Sequence, residues 1–191
     1  MIKEKLLLAS ASPRRKDLLR AAGFDFSILP ANVDEWMDAE ADPEELVFQN
    51  AQAKAMAVSL QNPHPIVLGA DTVVVLNERI LGKPADKGEA ISMLSGLSGK
   101  THLVVTGVAL CRAGKLLELF CDRTFVTFRK LDLTEIENYI TFVNVMDKAG
   151  AYALQEKGEC IIQSIDGSRS NVIGLPMEEL SLRINKWTSV G

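Results

Sequence analysis

The sequence predicts an α/β protein, and three observations point there. Short apolar runs of strand character recur along the chain, among them Leu6-Leu7-Leu8-Ala9 and Val73-Val74-Val75-Leu76. They alternate with longer stretches whose apolar residues return at helical spacing and which open on capping residues or proline. The composition, 47% hydrophobic and 24% charged over 191 residues, is that of a globular chain with one sizeable core or two small lobes sharing one.

The run Leu6 to Ala9 reads as a buried strand. In the Ser10-Ala11-Ser12-Pro13-Arg14-Arg15 that follows, Ser12 offers a capping hydroxyl and Pro13 takes the first helical position, where a missing N–H costs nothing. That helix covers 13–22, with Leu18, Leu19 and Ala22 apolar, and stops at Gly23. A second short strand spans 24–29, and 30–41 form a polar, acidic connection. Asp42-Pro43-Glu44-Glu45 opens a long helix with Leu46, Ala53, Ala57 and Leu60 on its apolar side, ending before Asn62-Pro63. Residues 66–68 and 73–76 belong to one strand that turns back at Asn77-Glu78. A helix over 86–97 precedes two long strands, 103–111 and 116–128, joined at Ala113-Gly114. Thr134 and Glu137 supply a capping box for a helix over 135–142. Ile161-Ile162 marks a late strand, and Pro176 opens a last helix that reaches Trp187. Neither repeat nor linker appears, so 1–191 reads as a single domain.

Charge and cysteine usage exclude several function classes. A net charge of −4 supplies no broad footprint for a nucleic-acid polymer, so any anionic ligand must be small and held by a local cluster of cations. Cys111, Cys121 and Cys160 are odd in number and lack CxxC spacing, which argues against a disulfide framework or a structural zinc site. The first apolar run is too short for a signal peptide, and no later run has membrane-spanning length. The expected compartment is the cytoplasm. With only His64 and His102, imidazole-based zinc catalysis is also disfavoured.

The candidate chemistry falls at strand ends and in loops. Arg14 and Arg15 emerge in the first turn of a helix, where cations are locally unfavourable unless an anion completes the site. An ordinary capped helix with solvated arginines accounts for the same residues equally well. Asp71, within Gly69-Ala70-Asp71-Thr72, interrupts an apolar strand and must be paired, protonated or bound to a metal. Asp34 and Glu35 lie in the acidic connection; a hard cation takes such oxygen ligands, although alone the stretch is a solvated loop. Lys83 stands in the restricted Gly82-Lys83-Pro84 turn, and Lys54 on the long helix. The small-residue run 147–155 lets a ligand approach the main chain, and Gln155 can read the edge of a base, although a tight connection explains the run as well. Residues 167–171 read as a loop entering a helix. P-loop, dinucleotide and serine-hydrolase motifs are absent from the sequence.

Taken together, these segments resemble the Maf family of nucleoside triphosphate pyrophosphatases. The resemblance runs nearly end to end: SASPRR at 10–15, Asp34-Glu35, Lys54, GADT at 69–72, GKP at 82–84, LSGKTH at 97–102, TGVAL at 106–110, DKAGAYALQ at 147–155 and GLP at 174–176. It implies a mixed, strongly bent β-sheet flanked by helices, two lobes around a central cleft as in inosine triphosphatase-like folds, and commonly a homodimer. It also implies cleavage between the α- and β-phosphates of a nucleoside triphosphate with a divalent metal cation, magnesium or manganese. By the same resemblance Asp71 is the proton acceptor for the attacking water. Ser10, Arg15, Lys54 and Lys83 contact phosphate, and Glu35 and Asp71 lie at the metal.

Members acting on dTTP and UTP carry Arg, Thr and Gln at the positions of Arg14, Thr72 and Gln155, and all three agree here. The expectation is therefore a dTTP/UTP pyrophosphatase. The alternatives are a broader modified-nucleotide or 7-methyl-GTP pyrophosphatase, or a nucleotide-sensing regulator of septum formation. The chain departs from the family at Val143-Asn144-Val145-Met146, where a Gly-Glu pair is frequent, at Glu156, where many members have Gly, and at Asn77-Glu78, which replaces the easier Asn-Gly turn.

Overall fold

The structure is a computed structural model describing residues 6–188, so both ends of the 1–191 domain reading lie outside the described residues. Strand β1 (Leu6–Leu8) leads through the serine-rich turn into helix α1 (Pro13–Ala21), and β2 (Phe26–Ile28) returns parallel to β1. An irregular segment then reaches α2 (Pro43–Gln61), whose first N–H groups are capped by the Asp42 carboxylate. Strand β3 (Val67–Leu76) turns at Asn77-Glu78 into β4 (Arg79–Leu81). Both turn residues have φ near +60° (50° and 66°), as a two-residue hairpin matched to strand twist requires.

Helix α3 (Lys87–Leu97) is followed by β5 (Thr101–Arg112) and β6 (Lys115–Phe128), then α4 (Leu133–Phe142). Two 3-10 turns, Ala149–Ala151 and Gly158–Cys160, precede β7 (Ile162–Asp166), α5 (Arg169–Ile173) and α6 (Met177–Thr188).

The seven strands form one mixed sheet in the order β2-β1-β3-β5-β6-β7, with β4 also on β3. The register of β3 makes the site. Strand β5 pairs along one of its edges from Val67 to Val75. On the other edge β1 pairs with Val67 and Leu68, and β4 with residues 74–76. Residues 69–73 therefore line a gap in the sheet between β1 and β4, and the GADT segment at 69–72 fills most of it.

Alternation along β3 sorts its side chains to two faces. Leu68 and Ala70 join Leu6, Leu8, Leu19, Val108 and Leu180 in one apolar cluster, while Val74 joins Leu94, Val104, Phe128 and Ile136 in another. Thr72 stands between them on that face. Opposite, Val67 and Val73 pack beneath α2 in two further clusters, and Asp71 stands between those. The core is thus divided into two lobes at the level of Asp71 and Thr72.

Helix α2 lies so close to the sheet that a Cβ on Gly69 would sit 2.2 Å from the Ala51 carbonyl oxygen, and one on Gly107 2.7 Å from that of Val47. Gly107 is the residue directly across the ladder from Asp71.

Four local expectations are corrected. Ser12 occupies the N-cap of α1, but its hydroxyl makes no capping bond; its N–H instead donates to the Ser10 hydroxyl. The inward face of α2 is Leu46, Val47, Asn50, Ala51, Lys54, Ala55 and Val58, whereas Leu60 and Ala53 are exposed. Three polar residues on the buried face, Asn50, Lys54 and Ser59, disguised it. The α4 capping box uses Asp132 and Glu135, two residues before the Thr134/Glu137 pair, because the aspartate is the stronger cap and Leu133 begins the helix. Of the expected loop 167–171, residues 169–171 are already helical, part of α5 and capped by the Ser168 hydroxyl.

Candidate active site

A cavity of about 630 Å³ opens at the gap beside β3. Ser10, Arg14, Arg15, Glu35, Lys54, Asp71, Thr72, Lys83 and Gln155, nine of the residues singled out from the sequence, line it. Asp34 does not; it is exposed beside Glu35.

On the α2 face of the sheet, buried Lys54 donates to Asp71 Oδ1 at 2.8 Å and to Glu35 Oε1 at 2.9 Å. The other oxygen of Asp71 accepts from Asn50 Nδ2 at 3.0 Å. Asn50 and Lys54 are one helical turn apart, so one face of α2 holds both carboxylate oxygens. Burial pushes the Glu35 carboxyl up, but the Lys54 hydrogen bond and the charges of Lys54, Lys83 and Arg15 outweigh it, and the net shift is downward. Glu35 is therefore ionised at neutral pH.

On the other face, Arg15 is 9% exposed and spends four N–H groups on the protein. Nε donates to the Gly174 carbonyl at 2.8 Å, Nη1 to the Ala70 carbonyl at 2.9 Å and to Ser10 Oγ at 3.2 Å, and Nη2 to Thr72 Oγ1 at 3.1 Å. Burial lowers its pKa, with the charge of Asp71 opposing. Arg15 thus clamps the β1–α1 turn, the open edge of β3 and the start of the last helical region around one guanidinium.

The two hydroxyls beside it differ in what they have left. Ser10 Oγ accepts from Arg15 and from the Ser12 N–H, so its proton is uncommitted among the described residues. Thr106 donates to the Asn171 carbonyl at 3.0 Å; its 3.0 Å bond with Thr72 must then be donated by Thr72. Thr72, already accepting from Arg15, keeps only a lone pair.

The rim is an ion-pair chain that the sequence did not disclose as such. Arg14 Nη1 donates to Asp147 Oδ2 at 3.0 Å, the other Asp147 oxygen accepts from Lys148 at 2.9 Å, and Lys148 reaches Glu156 at 3.2 Å and the Asn144 carbonyl. Lys148 is 4% exposed. Gln155, next to Glu156, and Lys83 are exposed at the edge of the cavity. Tyr152 forms the wall behind, its hydroxyl 2.8 Å from His102 Nε2. Asn50 was missed because it reads in sequence as an ordinary helix residue; Asp147, Lys148 and Tyr152 fell within the run 147–155 but were given no role of their own.

Among the described residues no group of three His, Cys, Asp or Glu side chains converges as a metal site. Glu35 and Asp71 nevertheless both accept from one ammonium, so two anionic oxygens already face a common cation position. Two carboxylates suit a magnesium-like ion that takes its remaining ligands from water and substrate phosphates.

Comparison with known proteins places the chain in a family. Residues 5–187 match the family described as Maf-like protein. The chain belongs to the Maf family. Among its Maf relatives, a dTTP/UTP pyrophosphatase of Bacillus anthracis is 47% identical over 96% of this chain and 95% of its own. A protein of the same name from Akkermansia muciniphila is 47% identical over 94% and 95%. A crystal structure of a nucleoside-triphosphatase / dITP/XTP pyrophosphatase from Mycobacterium abscessus aligns with a TM-score of 0.41 at 14% identity, covering 66% of this chain and 75% of that one. No helix among the described residues of this Maf protein is long and apolar enough to cross a membrane.

Proposed function

We propose that this Maf protein hydrolyses dTTP and UTP to the nucleoside monophosphate and pyrophosphate, removing unwanted or modified nucleotides from the cytoplasmic pool. The observation that carries the reading is Asp71: a buried carboxylate held on both oxygens, at a cavity that also collects Arg15, Lys54, Lys83 and Ser10. The names and 47% identity of the relatives support the substrate class.

In this reading Asp71 accepts the proton of a water whose oxygen bonds to the α-phosphorus, while the bond to the bridging oxygen breaks and pyrophosphate leaves. Arg15, Lys83 and Lys54 offset the charge that develops on the phosphate oxygens, and Ser10 donates its free proton to one of them. Glu35 and Asp71 would hold a magnesium or manganese ion, which when bound supplies positive charge to the phosphates and lowers the pKa of water. Arg14, Thr72 and Gln155 face the base. The lone pair left on Thr72 suits a base edge that presents an N–H, as N3 of uracil and thymine does, and disfavours cytosine, whose N3 is an acceptor. A homodimer is part of the same reading.

A panel of nucleoside triphosphates with magnesium or manganese tests the proposal by its products. Pyrophosphate with UMP or dTMP is expected. Orthophosphate with a nucleoside diphosphate, or turnover confined to 7-methyl-GTP, would overturn it.

A further inference from the structure

Asn50 makes more contacts than a residue that merely fills space beneath α2. Its Oδ1 accepts from the Trp36 N–H at 2.8 Å, and its Nδ2 donates to the Trp36 carbonyl at 2.8 Å and to Asp71 Oδ2 at 3.0 Å. The side-chain amide pairs with one residue of main chain as a neighbouring strand would, and its remaining N–H goes to the carboxylate. The opposite amide orientation would set Oδ1 against two acceptors, the Trp36 carbonyl and Asp71, so the network fixes the orientation. Asn50 is 3% exposed, on a helix whose other inward residues, Lys54 apart, are apolar or small.

Trp36 follows Glu35 directly, in a segment with no helix or strand of its own. Glu35 meets the site through Lys54, one turn along α2 from Asn50. The two α2 side chains therefore act on the same pair of carboxylates: Lys54 by charge, Asn50 by fixing the main chain beside one and an oxygen of the other.

We propose that Asn50 is a positioning residue that sets the Glu35 segment and the Asp71 carboxylate in one geometry. This inference rests on the hydrolytic reading given above. It assigns the order of an irregular segment to one buried amide. It separates the role of Asn50 from the phosphate contacts, which Ser10, Arg15 and Lys83 make without it.

Two variants divide its bonds. Asn50→Leu removes all three. Asn50→Asp keeps an oxygen for the Trp36 N–H but loses both donations. The readouts are kcat and KM with UTP, and amide hydrogen exchange at Trp36. Asn50→Leu is expected to lower kcat about 10- to 100-fold, with KM within about twofold, because misplacing a reacting group by an ångström has effects of that size. Its Trp36 amide should exchange at least about tenfold faster, having lost its acceptor. Asn50→Asp should lower kcat comparably while leaving Trp36 protected.

A merely structural role predicts loss of stability without this split. Unchanged kcat in either folded variant, or unchanged exchange at Trp36 in Asn50→Leu, overturns the assignment. If Asn50→Leu does not fold, Asn50→Asp decides alone: low kcat with a protected Trp36 supports it, and full kcat or a freely exchanging Trp36 overturns it. A wild-type protein that turns over no nucleoside triphosphate would instead sink the hydrolytic reading, and Trp36 exchange would still decide whether Asn50 holds the segment.

Discussion

At and behind the floor of the cavity the polar side chains stand largely on regular elements: Asp71 and Thr72 on β3, Lys54 and, behind it, Asn50 on α2, Arg15 on α1. At the rim, Asp147, Lys148 and Gln155 stand on a segment between α4 and β7 whose only order is two 3-10 turns. The floor residues bond to main chain and to each other across three elements, and all except Thr72 are buried. The rim is an ion-pair chain in which Asp147 and Glu156 remain nearly half-exposed. The floor fixes where a reaction happens with little freedom to adapt, whereas the rim holds its shape through pairs that water and salt weaken. In the proposed reading the proton acceptor Asp71 and the base-facing Thr72 both stand on the stiff part, and Gln155 on the adjustable one.

The largest effect should come from the floor. Asp71→Asn keeps the shape of the side chain but turns one accepting oxygen into a donor and removes the proton acceptor, so kcat with UTP is expected to fall on the order of 10³-fold. Near wild-type kcat in a variant whose melting curve is unchanged would take Asp71 out of its proposed role. Gly69→Ala strikes the same region from outside the cavity. The new methyl meets the backbone of α2 at 2.2 Å, and a helix cannot yield as a side chain can. A loss of about 3 kcal/mol is expected, at the upper end for overpacking, together with reduced kcat as Asn50 and Lys54 are displaced. Urea denaturation beside a kcat measurement checks both; full stability would show that α2 floats on the sheet.

The floor was far more legible in the sequence than the rim, for a physical reason. A carboxylate inside an apolar strand, as Asp71 is, contradicts its surroundings and demands a partner. Two arginines in the first turn of a helix are a weaker signal of the same kind. Rim residues contradict nothing: Asp147 and Lys148 in a turn are what any turn contains, and only the fold brings Arg14, 133 positions away, against Asp147. Asn50 was hidden differently, since an amide in a helix reads as solvated until the buried face is known. The order of the strands was also not legible, because the sheet gap that makes the site depends on β1 and β4 sharing one edge of β3. The helix capping signals were legible in kind but not always in register, as the Asp132 box shows.

Behind the rim, His102 offers a way to loosen one region without the other. Burial pushes it down from 6.5 to about 4, leaving it neutral in the fold, and it is 2% exposed. The unfolded chain takes up this proton from about pH 6.5 downward while the folded one does not, so stability falls between pH 6.5 and pH 4. The loss approaches about 3 kcal/mol at the acid end. Denaturation at pH 7 and pH 4.5 should show a greater loss in the wild type than in His102→Gln. Equal losses would mean that the imidazole is not the group responsible. Because His102 bonds Tyr152 on the cavity wall, the rim should lose order before the floor, visible as earlier amide exchange at 147–157 than at 67–76.

The smallest effect tests whether the rim tunes binding alone. The Arg14–Asp147 pair is 21% and 44% exposed, so its worth is screened to about 1 kcal/mol or less. Asp147→Asn should therefore raise KM for UTP by at most about fivefold, leaving kcat within error, since 1 kcal/mol is a factor of that size. Burial alone would raise the Asp147 carboxyl, but its hydrogen bonds to Lys148 and Arg14 outweigh that and hold it below the ordinary value of 3.8. Its contribution is then full at neutral pH and disappears as pH falls through that lowered value. The difference in affinity between wild type and Asp147→Asn should persist from pH 8 to pH 5 and shrink with added salt. A fall in kcat matching that of the Asn50 variants would show instead that the rim reaches into the reacting geometry, and the division between a stiff floor and an adjustable rim would not hold.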